Sequence, residues 1–128
     1  MGVAVENTPP LRTMAEIQRF NVEAGLPTLD EARRMVIAEI KRARQGGAKV
    51  LKIVHGYGSS GKGGVLCTGL RKSFRLRKKE ALIRDFIPGE DFSIFNETTL
   101  TLLEAVPALR GDPDLGAINE GVTILWLK

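Results

Sequence analysis

The chain is poor in the residues that build many familiar sites. Its 128 residues hold one cysteine, one histidine, one tryptophan and one tyrosine. The single Cys67 excludes a disulfide framework and a cysteine-rich zinc centre, and it suits a reducing compartment. No apolar run approaches the roughly 20 residues that a membrane-spanning helix needs. The N-terminus lacks the basic start and apolar stretch of a secretory signal. These absences read as a soluble, cytoplasmic chain with no membrane partner, long enough for one domain with a real core.

What is present is charge, and it is sorted. From Lys62 to Arg84 eight basic residues stand against one acid, a net of +7; from Asp85 to Glu120 one base stands against eight acids, a net of −7. A basic block of this density is the usual footprint of a polyanion site. The plainer reading is a solvated helix face paired with the acidic segment.

Periodicity orders the elements. Residues 1–15, with Gly2, Pro9 and Pro10, read as a flexible arm, and 16–128 as a single domain. Alternation from Ile17 to Ala24 predicts a strand. Thr28 with Glu31 three places on forms a capping box. Behind it Leu29, Ala32, Val36, Ile40 and Ala43 make a helical stripe that Gly46-Gly47 ends. Lys49–Val54 reads as an interior strand, and strand–helix–strand with short links implies a parallel crossover. A second helix is expected from Gly64, with Leu66, Leu70 and Phe74 inward, Arg71, Arg75 and Lys78 outward, and an end near Leu76. Ile83–Ile87 make a third strand. An insertion at about 92–117 should carry a helix capped by Asn96, facing inward through Leu100, Leu103 and Val106, and then an Asp112-Pro113-Asp114 turn. GVTILWL at 121–127 is a central strand, with Trp126 as its largest core side chain.

The chemistry gathers in the run Gly56-Tyr57-Gly58-Ser59-Ser60-Gly61-Lys62-Gly63-Gly64, directly after His55. Gly56, Gly58 and Gly61 fit G-x-G-x-x-G, but the chain has too few strands for a dinucleotide fold. Gly56–Lys62 also fits most of a Walker A loop, yet Gly63 stands where Ser or Thr would ligate magnesium. A small phosphate-ligand or nucleotide enzyme is therefore a minor reading. A glycine-rich turn entering a helix N-terminus still offers several N–H groups to one anion, and Lys62 adds a mobile charge. The plain alternative is that the glycines only permit a tight turn.

The run KIVHGYGSSGKGG, then RDFIPGE, then the terminal GVTILWL resembles the Smr (small MutS-related) domain family, and the helix LDEARRMVIAEI looks like that family's first helix. The resemblance implies an α/β two-layer sandwich, with a four-stranded mixed sheet and two helices on one face. That fold is like the C-terminal domain of the third translation initiation factor, and here it carries a helical insertion before the last strand. It implies nucleic-acid binding, with nicking or RNA-cleaving endonuclease activity in several members and ribosome-linked mRNA cleavage in some. By position, His55 matches the family's motif histidine, and Gly56 and Gly58 its glycines. One departure stands out: Gly25 occupies the place of the His or Arg that often ends the first strand, with Glu23 as the best stand-in for its acid.

Two function classes remain. In an endonuclease, His55 serves as general acid or base while Lys62 and the loop amides stabilise phosphate charge. In a non-catalytic nucleic-acid- or ribosome-docking module, His55 only fixes the turn. In both, Gly56, Tyr57, Gly58, Ser59, Ser60, Gly61 and Lys62 with Arg71, Lys72, Arg75 and Lys78 contact the strand. Tyr57 is the one residue there suited to base stacking. No cluster has metal-ligand spacing, so no cofactor or metal is inferred, and only Glu23 with Asp30 would collect a divalent ion. The acidity of 92–117 would either shield the basic surface or recruit a basic partner.

Overall fold

The computed structural model describes residues 15–57 and 63–128, built on a four-stranded sheet. Chain order is β1 (Ile17–Asn21), α1 (Leu29–Gln45), β2 (Val50–Val54), α2 (Gly63–Lys79), β3 (Ile83–Pro88), α3 (Glu97–Ala105) and β4 (Val122–Leu127), with short 3-10 turns at Gly89–Asp91 and Pro107–Gly111. The sheet order is β1-β2-β4-β3. β1 pairs parallel to β2, whereas β4 runs antiparallel to both of its neighbours. The expected mixed α/β sheet is therefore present, with β2 and β4 interior.

Local chemistry explains the element ends. Asn21 ends β1 because its Oδ1 accepts from the Glu23 and Ala24 amides and turns the chain, so the strand stops short of the expected Ala24. At α1, the Glu31 amide donates to Thr28 Oγ1 at 3.2 Å and the Thr28 amide donates to Glu31 Oε1 at 2.8 Å. That reciprocal cap holds the Glu31 carboxyl below its ordinary range. α2 runs past Leu76 to Lys79. Arg77 does not break it, because its head reaches Glu80, 3.0 Å away, while its stem stays on the flank.

Alternation along the strands serves two cores. Leu51, Ile53, Leu125 and Leu127 point to the face covered by α1 and α2, where Ala32, Val36, Ile40, Leu70 and Phe74 are buried. Val50, Ile87 and Ile124 point to the other face, under Phe92, Leu102, Leu103, Val106 and Leu109. The segment between β3 and β4 is thus a packing layer for the second face of the sheet, with neither role expected of its acidity needed to explain it. Asn96 does cap α3, accepting from the Thr99 amide at 2.9 Å. Its inward residues include Leu102 and Leu103, whereas Leu100 faces out. Trp126 also departs from expectation: it is only half-buried, and Phe74 and Phe92 are the largest buried side chains.

A buried charge cluster fastens this layer. Lys52, 6% exposed, points from β2 into the second face. It donates to Asp112 Oδ1 at 2.8 Å and to the Asp114 carboxylate. Burial opposes ionisation of Asp114, but Lys52 and the Asn119 amide outweigh it and hold the carboxyl below its ordinary range. No helix among the described residues is long and apolar enough to cross a membrane.

Candidate functional site

Parallel β1 and β2 bring their C-terminal ends to one end of the sheet, where antiparallel β4 begins and β3 ends. His55 follows β2 there and is 0% exposed. Its Nδ1 lies 2.8 Å from the Gly56 carbonyl, which can only accept, so Nδ1 carries the proton. Nε2 then accepts from the Thr123 hydroxyl at 2.8 Å. Thr123 Oγ1 in turn accepts from Arg71 Nε at 3.2 Å. Burial lowers the His55 pKa and the Arg71 charge adds to the effect, against the opposing pull of the Gly56 bond and of Glu90. His55 is thus a neutral, internally satisfied imidazole near pH 7.

Arg71 is the hub of this network. It forms a bidentate pair with Glu90 at 2.7 and 2.8 Å and reaches the carbonyls of Glu120 and Val122 at 3.3 and 3.1 Å. Burial alone would raise the Glu90 carboxyl, yet the Arg71 bonds hold it below its ordinary range. The outward placement of Arg71 in the sequence reading is therefore corrected. Its side chain is spent joining α2 to the ends of β3 and β4, because a hydroxyl, two carbonyls and a carboxylate there offer it five acceptor contacts.

The first loop amides are spent as well. The His55 and Gly56 N–H groups both donate to the Gly121 carbonyl at 3.0 Å. Gly56 has φ +77°, and a Cβ on it would collide with the Glu23 carboxylate, which lies against it. Gly89 is equally constrained, since a Cβ there would strike the Asn119 carbonyl and Val122. Tyr57, by contrast, is 59% exposed. Gly58, Ser59, Ser60, Gly61 and Lys62 lie outside the described residues.

Beside this end, α1 and α2 frame an open groove of 860 Å³ lined by Leu29, Arg33, Thr68, Lys72, Arg75 and the part of Arg71 not taken up by its internal bonds. Lys72 and Arg75 are exposed and have no carboxylate within 4.0 Å among the described residues. Arg33 pairs with Asp30 at 3.0 Å, and Lys78 with Asp85 at 3.1 Å, both in water where such pairs are weak. Cys67 is buried and its thiol is pushed up by that burial, which makes it a poor nucleophile. Among the described residues, no three of His, Cys, Asp and Glu gather as a metal site.

Sequence reasoning missed Glu90, Thr123 and Arg33. A signal existed for Thr123: a lone hydroxyl in the apolar run GVTILWL must find a partner when buried.

The fold is similar to the crystal structure of the Smr domain of Thermus thermophilus MutS2, with a TM-score of 0.52 and 22% identity over 89% of this chain and 99% of that one. No curated protein matches the chain. The Smr domain model matches residues 25–90, from the turn before α1 through the Glu90 that clasps Arg71. The chain belongs to the Smr domain family.

Proposed function

We propose that this domain binds nucleic acid through its sugar-phosphate backbone, in the groove between α1 and α2. The observation that carries the reading is the pair of cations Lys72 and Arg75 on that groove, without carboxylate partners among the described residues, the one next to Arg71 in the chain and the other a helical turn beyond it. Cations that keep their hydration and lack carboxylate partners are the ones that can exchange counterions for phosphates. Exposed Tyr57, in the chain between β2 and α2, offers a ring for base stacking. His55 serves as a positioning residue: its two bonds link the loop to β4 and fix the path of Gly56. The backbone contacts carry no base code, so preference among sequences is weak.

Phosphodiester cleavage is a second reading, favoured by the Glu23 carboxylate lying against Gly56 at the mouth of the loop. Labelled single- and double-stranded RNA and plasmid DNA, incubated with and without divalent metal, separate the two. A binder shifts the mobility of the strands and leaves them intact. Cleavage that Glu23→Gln abolishes, with affinity retained, establishes the nuclease. Absence of salt-sensitive binding to any of the three nucleic acids refutes both.

A further inference from the structure

The end of the sheet opposite His55 carries a second concave surface. Here α1 ends, β2 and β3 begin and β4 ends. A cavity of 460 Å³ is lined by Arg44, Lys49, Arg84, Val106, Trp126 and Lys128, and no acidic side chain lines it. None of those four cations has a carboxylate within 4.0 Å among the described residues. The guanidinium of Arg84 sits over the Trp126 ring, 5.4 Å from its centroid. Like charges around a concavity repel one another and focus a positive potential, which an anion relieves. An arginine plane over a half-buried indole is also a platform on which a flat base stacks.

We propose that this cavity is a second contact site for a single-stranded nucleic acid, with a base on the Arg84–Trp126 stack and phosphates on Arg44 and Lys49. The inference rests on the nucleic-acid reading of the groove and extends it to the far end of α1. Arg33 at the groove and Arg44 at the cavity are separated along that helix by about 16 Å, at ~1.5 Å per residue. That distance is spanned by about five nucleotides at the ~3.4 Å spacing of a stacked strand. A strand long enough to reach both sites gains from their tethering, whereas a trinucleotide occupies one at a time.

Trp126 is the only tryptophan in the chain, so its emission reports this cavity alone. The test titrates the protein with uridine monophosphate, a uridylate trinucleotide and a labelled uridylate dodecanucleotide, reading tryptophan emission and the anisotropy of the label. The dodecanucleotide is expected to quench Trp126 along the same isotherm that anisotropy reports. Lys49→Ala leaves the indole and its arginine in place and should weaken affinity about fivefold. Arg84→Ala removes the stacking plane and should weaken it about tenfold. Circular dichroism confirms that both variants fold. Binding with unchanged Trp126 emission and unchanged affinity in both variants overturns the second site while leaving the groove standing. Quenching by uridine monophosphate as tight as by the dodecanucleotide overturns the strand assignment in favour of a free nucleotide. No anisotropy change with the dodecanucleotide, and no change in tryptophan emission with any of the three probes, overturns the groove reading and this inference together.

Discussion

Lys52 and Arg71 differ from Lys72 and Arg75 in where their charge is spent. The first two are turned inside, one under the insertion layer and one between α2 and β4, and each is fully paired there. The second two stand in water on the groove. Arg71 and Lys72 are neighbours on one helix, so the basic block that reads as a single feature in sequence splits into two environments in space. Interior cations tie α2 and the insertion layer to the sheet, and the exterior ones carry the proposed contact with a polyanion. A charge count therefore overstates the binding surface by the cations that the fold consumes.

The largest expected consequence of that contrast falls on Lys52. Lys52→Met leaves Asp112 and Asp114 facing each other while mostly buried, and should cost about 3 kcal/mol in urea unfolding. Hydrogen exchange should show the loss concentrated between residues 107 and 121, since that segment loses its tie to β2. Arg71→Met should cost about 2 kcal/mol: Glu90 remains partly solvated, but Thr123 and two carbonyls lose their donor. Lys72→Ala with Arg75→Ala should change stability by no more than about 0.5 kcal/mol, because neither side chain has a carboxylate partner among the described residues. If the exterior pair proved as costly to remove as the interior pair, the contrast would fail.

The smallest effect is a matter of pH. The folded pKa of His55 lies below its ordinary 6.5, so between those two values the unfolded chain binds the extra proton. Its stabilising contribution is complete above pH 6.5 and is lost as pH falls through that value toward the folded pKa. Glu90 and Asp114 add a separate loss at more acidic pH, below 4.5 and 3.8 respectively. Stability-against-pH curves of wild type and His55→Gln should therefore run parallel above pH 6.5 and diverge in slope as pH falls below it, where the unfolded histidine gains its proton. Identical pH profiles between 5 and 7 would remove the buried neutral histidine from the account.

The parts legible in the sequence were those written in local pattern. The Thr28 box, the Gly46-Gly47 stop and the apolar β2 run each carry their signal within a few residues. The fates of Arg71 and Lys52 do not, since their partners lie 19 and 60 positions away or are backbone carbonyls of another strand. Helical spacing placed Arg71 outward because the stripe of Leu66, Leu70 and Phe74 defines a centre but not a width. A flanking arginine with a waiting carboxylate turns in. In the insertion the Asn96 cap, Leu103 and Val106 are legible from helical spacing, whereas its seat on the second face of the sheet, shared with Leu102 and Leu109, is not, because the strand residues it covers lie far off in the chain. Trp126 misled by its type: a large apolar ring in an apolar strand reads as core, yet it lies at an open end of the sheet under Arg84.

The central claim is that exterior cations on the α1–α2 groove bind phosphates while interior Arg71 does not. Its most direct test is the slope of log affinity against log salt for single-stranded RNA, measured on wild type, Lys72→Ala/Arg75→Ala and Arg71→Met. The expected result is a slope shallower by about 1.4 in the double variant, two phosphate contacts at ~0.7 each, and an unchanged slope in Arg71→Met. A wild-type slope retained by the double variant, or lost with Arg71 alone, would contradict it.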